Sequence, residues 1–202
     1  MFSHDETAGI DMKGRESGMP DEAYWASFFN PDLAVDLLLP SDARNGDIVE
    51  FGCGYATFTL PVARRTKGYV NALDIEPEML ELMRQKADAE GLKNIRGFHR
   101  DFLAGGTGLS DGSQRHAMIY NLLHIEHPVD LLREAHRVLD ERGSLSVMHW
   151  RSDIPTPRGP PSTIRPTSKQ CLAWMDEAGF RQIEVVNLDR CCPHHFGLLG
   201  RV

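Results

Sequence analysis

The chain has 202 residues, 41% of them hydrophobic, and a formal net charge of −7, which is enough apolar content for one core of good size. An acidic balance without a lysine or arginine block lacks the electrostatic footprint of a nucleic-acid binder. No run approaches the roughly eighteen apolar residues that span a bilayer, and the polar start from Met1 to Gly18 has no apolar stretch of the secretory kind, so the expectation is a cytoplasmic chain with a flexible segment over 1–18 and a single domain over 19–202.

Tyr24, Trp25, Phe28 and Phe29 stand at helical spacing and predict a first helix between Pro20 and Phe29. Such a helix serves either as a lid that excludes water from a pocket or as an amphipathic element packed on the sheet edge. Asn30-Pro31 reads as the N-cap and first turn of a second helix through Leu39. From Asp47 to Thr57 a short apolar strand runs into a Gly-x-Gly turn. Gly52 and Gly54 have no Cβ, so backbone amides can approach a ligand there, and a helix predicted over Phe58 to Arg65 completes a strand, turn and helix. A dinucleotide fingerprint needs a third glycine where this chain has Thr57. Glu50, just before the turn, would repel a pyrophosphate and attract an ammonium. The ligand expected here therefore carries a cation.

Lys67 to Asp74 reads as a strand ending in an acid about 20 residues after the turn, a spacing at which a carboxylate accepts from both hydroxyls of a ribose. Pro77 to Glu90 predicts a helix with Leu80, Met83 and Ala87 on one stripe and Gly91 as its stop. Pro128 to Glu141 repeats that pattern and stops at Gly143. Asp153 to Pro166 carries five prolines and reads as an irregular loop. Thr167 and Gln170 make a capping box that opens a helix to Ala178, before Gly179. Gln182 to Leu188 and His194 to Val202 are two strand-like runs joined by a short turn, which requires an antiparallel hairpin. Alternating strands and helices ahead of that hairpin argue for a parallel sheet covered on both faces, with ligands beyond the carboxyl ends of its strands.

Val49-Glu50-Phe51-Gly52-Cys53-Gly54 and Leu73-Asp74-Ile75 resemble the first two motifs of the class I S-adenosylmethionine-dependent methyltransferases. His99-Arg100-Asp101-Phe102 is similar to the third, and Arg115 to His124 resembles the family's fourth strand and the loop after it. Leu131 to Leu139 and Gly143 to Val147 are similar to the helix and fifth strand that follow. The resemblance covers residues 45–150 and implies an α/β fold: a three-layer Rossmann-like sandwich around a mostly parallel seven-stranded sheet with a C-terminal antiparallel hairpin. It also implies that S-adenosylmethionine is bound by Glu50, Gly52, Cys53, Gly54, Asp74, Ile75, Asp101, Phe102 and Asn121. In that arrangement Glu50 meets the amino end, Asp74 the ribose, Asp101 the adenine amino group and Phe102 the ring. Tyr55 and Ala56 depart from the family pattern, the latter standing where many members have glycine.

Methyl transfer from a sulfonium is an in-line displacement, so alignment dominates and a base matters when the acceptor must lose a proton. His124, just past the fourth strand, is the first candidate for that base or for orienting the acceptor. The other reading of His124 is a rim histidine making a local hydrogen bond, and His127 and His149 are weaker candidates. Tyr24, His149 and Arg151 are expected as substrate contacts. Arg151, Arg158 and Arg165 together favour an anionic small molecule, although taken singly a loop arginine is more often solvated or paired with a nearby acid than a ligand. The four cysteines form no C-x-x-C pair. Adjacent residues of Cys191-Cys192-Pro193-His194-His195 point to opposite faces of an extended chain, so no metal is expected there. These features describe a methyltransferase acting on a small-molecule acceptor. The alternatives are a non-catalytic regulator or scaffold that binds the same cofactor, and a nicotinamide-dependent oxidoreductase, which Thr57 and the terminal hairpin disfavour.

Overall fold

The computed structural model describes residues 20–202; the flexible segment expected over 1–18 lies outside them. Asp21 caps α1 (Glu22–Ala26), and the helix stops short of the predicted Phe29. The Ser27 hydroxyl turns back to donate to Tyr24 O at 2.6 Å, a local bond that competes with continuation of the helix. Asn30 caps α2 (Pro31–Leu38), its side chain accepting from Leu33 N at 3.2 Å, as the Asn-Pro pair predicts.

Seven strands follow: β1 (Ile48–Phe51), β2 (Val70–Asp74), β3 (Ile95–His99), β4 (Gln114–Tyr120), β5 (Leu139–Trp150), β6 (Arg181–Val186) and β7 (His195–Arg201). They lie in the order β3-β2-β1-β4-β5-β7-β6. The first five are parallel, and β7 runs antiparallel to both β5 and β6. The terminal pair is thus the expected hairpin. Every residue of β1 is buried, as a central strand covered on both faces requires.

Alternation along the strands divides the core in two. Val49 and Phe51 of β1 join Leu131, Leu132 and Ala135 of α6 (Pro128–Val138) and Met175 of α7 (Ser168–Glu177) on one face. Ile48 points the other way, into Val35 and Leu38 of α2 and Val62 of α3 (Thr59–Ala63). On that side Leu80, Met83 and Ala87 of α4 (Pro77–Ala89), the stripe read from the sequence, pack on Ala72. Two helical layers around one sheet give the three-layer sandwich.

Three further boundaries differ from expectation. The helix after the glycine turn shrinks to Thr59–Ala63, because Arg64 and Arg65 leave it to pair with Asp32, Asp36 and Glu90. α6 ends at Val138, three residues before the predicted Glu141. Leu139 is drawn into pairing with Gln114, while the Asp140 side chain accepts from Arg142 N at 2.9 Å and faces Arg115 at 3.3 Å. β6 stops at Val186 because Asn187 accepts from Asp189 N at 2.8 Å and turns the chain. The capping box of α7 forms as read.

Candidate functional site

The carboxyl ends of β1, β2, β4 and β5 meet at one edge of the sheet, and the glycine turn opens there. Gly52 and Gly54 have φ of 71° and 48°, values that L side chains rarely adopt. Ala56 has φ 59° and closes the turn by donating its N–H to Cys53 O at 2.9 Å; the left-handed backbone explains why glycine would serve at that position. The turn is fastened to β2 by its neighbour's acid. Gly54 N–H donates to Asp74 Oδ2 at 2.8 Å, and Glu76 N–H donates to Oδ1 at 3.0 Å. Burial pushes the Asp74 carboxyl up while these two amides favour its ionised form.

Glu50 is 3% exposed. Its partner is the Thr59 hydroxyl, which donates to Oε2 at 2.5 Å. Burial, with the nearby negative charge of Asp74 adding to it against the Thr59 bond, raises its pKa to about 8. Two acids therefore flank the turn, and no side-chain cation acts on Glu50 among the described residues. Asn121, at the end of β4, has φ 59° and donates its backbone N–H to Met148 O at 2.7 Å. Its side-chain Oδ1 is buried without a partner among the described residues, and an orphaned acceptor of this kind is costly unless a ligand donor meets it. A cradle that combines glycine turns, two acids and an orphaned acceptor fits a cationic nucleoside.

Asp101 caps α5 (Phe102–Gly105), accepting from Leu103 N at 3.2 Å and Ala104 N at 3.1 Å. Phe102 stands edge-on to Phe51 with centroids 5.3 Å apart. Ile75 accepts at its carbonyl from His99 Nε2 at 2.9 Å. Cys53 is buried, and burial together with the negative charges of Glu50 and Asp74 pushes its thiol pKa up.

Of the expected substrate contacts, Tyr24 is 45% exposed on α1 and reaches the proline-rich loop through its hydroxyl, 3.5 Å from Pro157 O. Arg151 is engaged by Asp153 through two bonds of 3.0 and 2.7 Å, which match its charge locally in the ligand-free protein. His149 exposes no surface and so cannot touch a substrate. It instead supports His124, whose Nδ1 lies 3.2 Å from His149 Nε2. Arg165 spends its donors on the neutral oxygens of Pro160, Arg151, Thr156 and Arg158, at 2.5–3.0 Å. Arg165→Ala is expected to release the proline-rich loop, read as several-fold faster cleavage within 153–166 under limited proteolysis.

Sequence reasoning missed how α1 closes on the turn. Trp25 Nε1 donates to Thr57 Oγ1 at 3.1 Å, the Tyr55 hydroxyl donates to Pro20 O at 2.7 Å, and Lys86 holds both Tyr55 O, at 2.8 Å, and Glu22. Trp25 and Phe28 meet Trp150 at 6.4 and 5.4 Å. The signal for this was Thr57 itself: the residue that breaks the dinucleotide fingerprint is the acceptor for the indole. Cys191 and Cys192 are buried free thiols, and no group of three or more metal-ligating side chains occurs among the described residues.

Residues 48–143 match the family model described as methyltransferase domain, a span running from β1 into β5. No curated protein matches the sequence. Among solved structures, a SAM dependent methyltransferase from Aquifex aeolicus is 20% identical, with a TM-score of 0.74 over 89% of this chain and 93% of that one. Geranyl diphosphate methyltransferase in complex with SAM is 17% identical, with a TM-score of 0.66 over 90% and 86%. The cyclase SpnF is 18% identical, also at 0.66, over 85% and 79%. At such identities the likeness is one of fold.

Proposed function

We propose that this chain, whose residues 48–143 match a methyltransferase domain model, is a class I S-adenosylmethionine-dependent enzyme that transfers a methyl group from S-adenosylmethionine to a small-molecule acceptor. The reading treats residues 19–202 as one domain working in the cytoplasm, with neither nucleic acid nor membrane as partner. No helix among the described residues is long and apolar enough to cross a membrane.

The observation that carries the reading is the fastening of Gly54 to Asp74 beside an unmatched pair of acids. Asp74 would accept the ribose hydroxyls while holding the turn open, and Glu50 with the orphaned Asn121 Oδ1 would meet the ammonium end. Phe102 and Ile75 would flank the adenine beside Asp101, with Gly52 and Cys53 lining the turn. When bound, the cofactor supplies an electrophilic methyl group, and its sulfur keeps the electron pair of the bond that breaks. The protein contributes alignment and exclusion of water, for which the Trp25 and Tyr55 contacts of α1 are placed, and His124 supplies a basic nitrogen at the rim. The anionic preference rests on the positive charge that Arg151, Arg158 and Arg165 bring to the loop after β5.

Calorimetry with S-adenosylhomocysteine should show one site per chain, and incubation with methyl-labelled cofactor and a panel of small acceptors should transfer label. Binding without transfer to any acceptor would favour the non-catalytic regulator. No heat of binding from folded protein would overturn both readings.

A further inference from the structure

His124 and His149 form a directed pair at the ends of β4 and β5. His149 Nδ1 lies 3.2 Å from Trp150 O, and a carbonyl oxygen can only accept, so Nδ1 carries the proton. A neutral imidazole has one N–H, so His149 Nε2 is a bare acceptor. The group facing it, His124 Nδ1 at 3.2 Å, must then be the donor, and the lone pair of His124 falls on Nε2. That atom makes no hydrogen bond with the described residues and is not among the buried unpaired nitrogens, so it stays accessible beyond the carboxyl end of β4.

Resting on the methyltransferase reading, we propose that His149 is a positioning residue: it locks His124 in the Nδ1–H tautomer and presents Nε2 as the general base for an acceptor that carries a removable proton. As the acceptor heteroatom forms its bond to the methyl carbon, its own proton passes to His124 Nε2. The resulting imidazolium still donates through Nδ1 to His149, so no rearrangement accompanies the transfer. The charged group acting on this pair is Arg165 from the loop after β5, and the third histidine packed there, His195 of β7, is itself buried against Trp150. No carboxylate acts on either ring among the described residues. Burial and the Arg165 charge hold His124 below its ordinary value, and burial first, with His124 and Arg165, pushes His149 down to about 3. Both rings are therefore neutral at pH 7, as the directed bonds require.

The test needs no acceptor. Two-bond proton–nitrogen spectra of the full chain labelled with nitrogen-15 histidine, with His124 assigned from a His124→Gln variant, report which ring nitrogen carries the proton. The native protein at pH 7 should show His124 as Nδ1–H. His149→Leu, which removes the acceptor, should move His124 to a mixture dominated by Nε2–H, and His149→Gln, which keeps an acceptor oxygen, should restore Nδ1–H. An Nε2–H tautomer in the native protein would overturn the proposal even if the leucine variant fails to fold, and Nδ1–H persisting in a folded His149→Leu would overturn it too. Calorimetry with S-adenosylhomocysteine on the same samples separates the two levels. Loss of binding there would sink the methyltransferase reading and leave the tautomer result standing, whereas normal binding with the wrong tautomer would sink only the relay.

Discussion

Asp74→Ala should weaken S-adenosylhomocysteine binding by about 100-fold or more, from loss of hydrogen bonds to a charged acceptor at about 1.5–3 kcal/mol each and about 1.4 kcal/mol per tenfold change in affinity. The size follows from the double duty of this carboxylate. Its two oxygens already accept from Gly54 N and Glu76 N, so removing it deletes the ribose acceptor and frees the glycine turn in one step. Asp74→Asn separates the two roles. An amide offers one acceptor oxygen, so one of the two backbone bonds must be lost while the shape is kept, and the loss in affinity should fall between native and alanine. Isothermal titration on variants with native circular dichroism decides the matter, and unchanged affinity in Asp74→Ala would remove this residue from the site.

What could be read from the sequence was what depends on local backbone chemistry. Gly52 and Gly54 announce positive φ, Thr167 and Gln170 announce a capping box, and Leu80, Met83 and Ala87 announce the buried stripe of α4. The closing hairpin followed from the shortness of the turn between its strands. Charge pairing across the fold could not be read this way. The pairing of Arg151 with Asp153 was hidden because Asp153 sits two residues away on an irregular loop, where spacing does not say whether the two side chains meet. His149 looked accessible because period-two alternation does not distinguish the end of a strand facing a pocket from one packed against its neighbours, here Phe196 of β7 and His124. The partner of Glu50 was hidden for a similar reason: Thr59 lies nine positions on, across a turn whose left-handed residues bring the start of α3 back over β1.

Glu50→Gln is expected to stabilise the ligand-free protein at pH 7 by on the order of 3 kcal/mol while weakening cofactor binding about tenfold. The folded protein raises this carboxyl from 4.5 to about 8, so its contribution is fully present below pH 4.5 and is lost as pH rises toward 8. At pH 7 the native fold must hold a proton that the unfolded chain would release, and glutamine avoids that cost while keeping an acceptor for the Thr59 hydroxyl. Buried histidines act with the opposite sign. His116 and His149 are both pushed from 6.5 down to about 3, by burial above all, so their stability is present above pH 6.5 and is lost as pH falls below it, by about 2 kcal/mol each at pH 5. In the native protein Glu50 offsets part of that loss, and in Glu50→Gln it does not. Denaturant titrations at pH 7 and pH 5 should therefore show a clear advantage for the variant at pH 7 that shrinks to under about 1 kcal/mol at pH 5, with a steeper acid dependence. The same proton should appear in binding. An ammonium arriving beside Glu50 favours its ionised form, so calorimetry of the native protein in buffers of different ionisation enthalpy should register proton release near pH 7, and the variant should register none. A variant no more stable than the native protein at pH 7, with unaltered proton release on binding, would show that this buried acid is neither strained in the free protein nor relieved by the ligand.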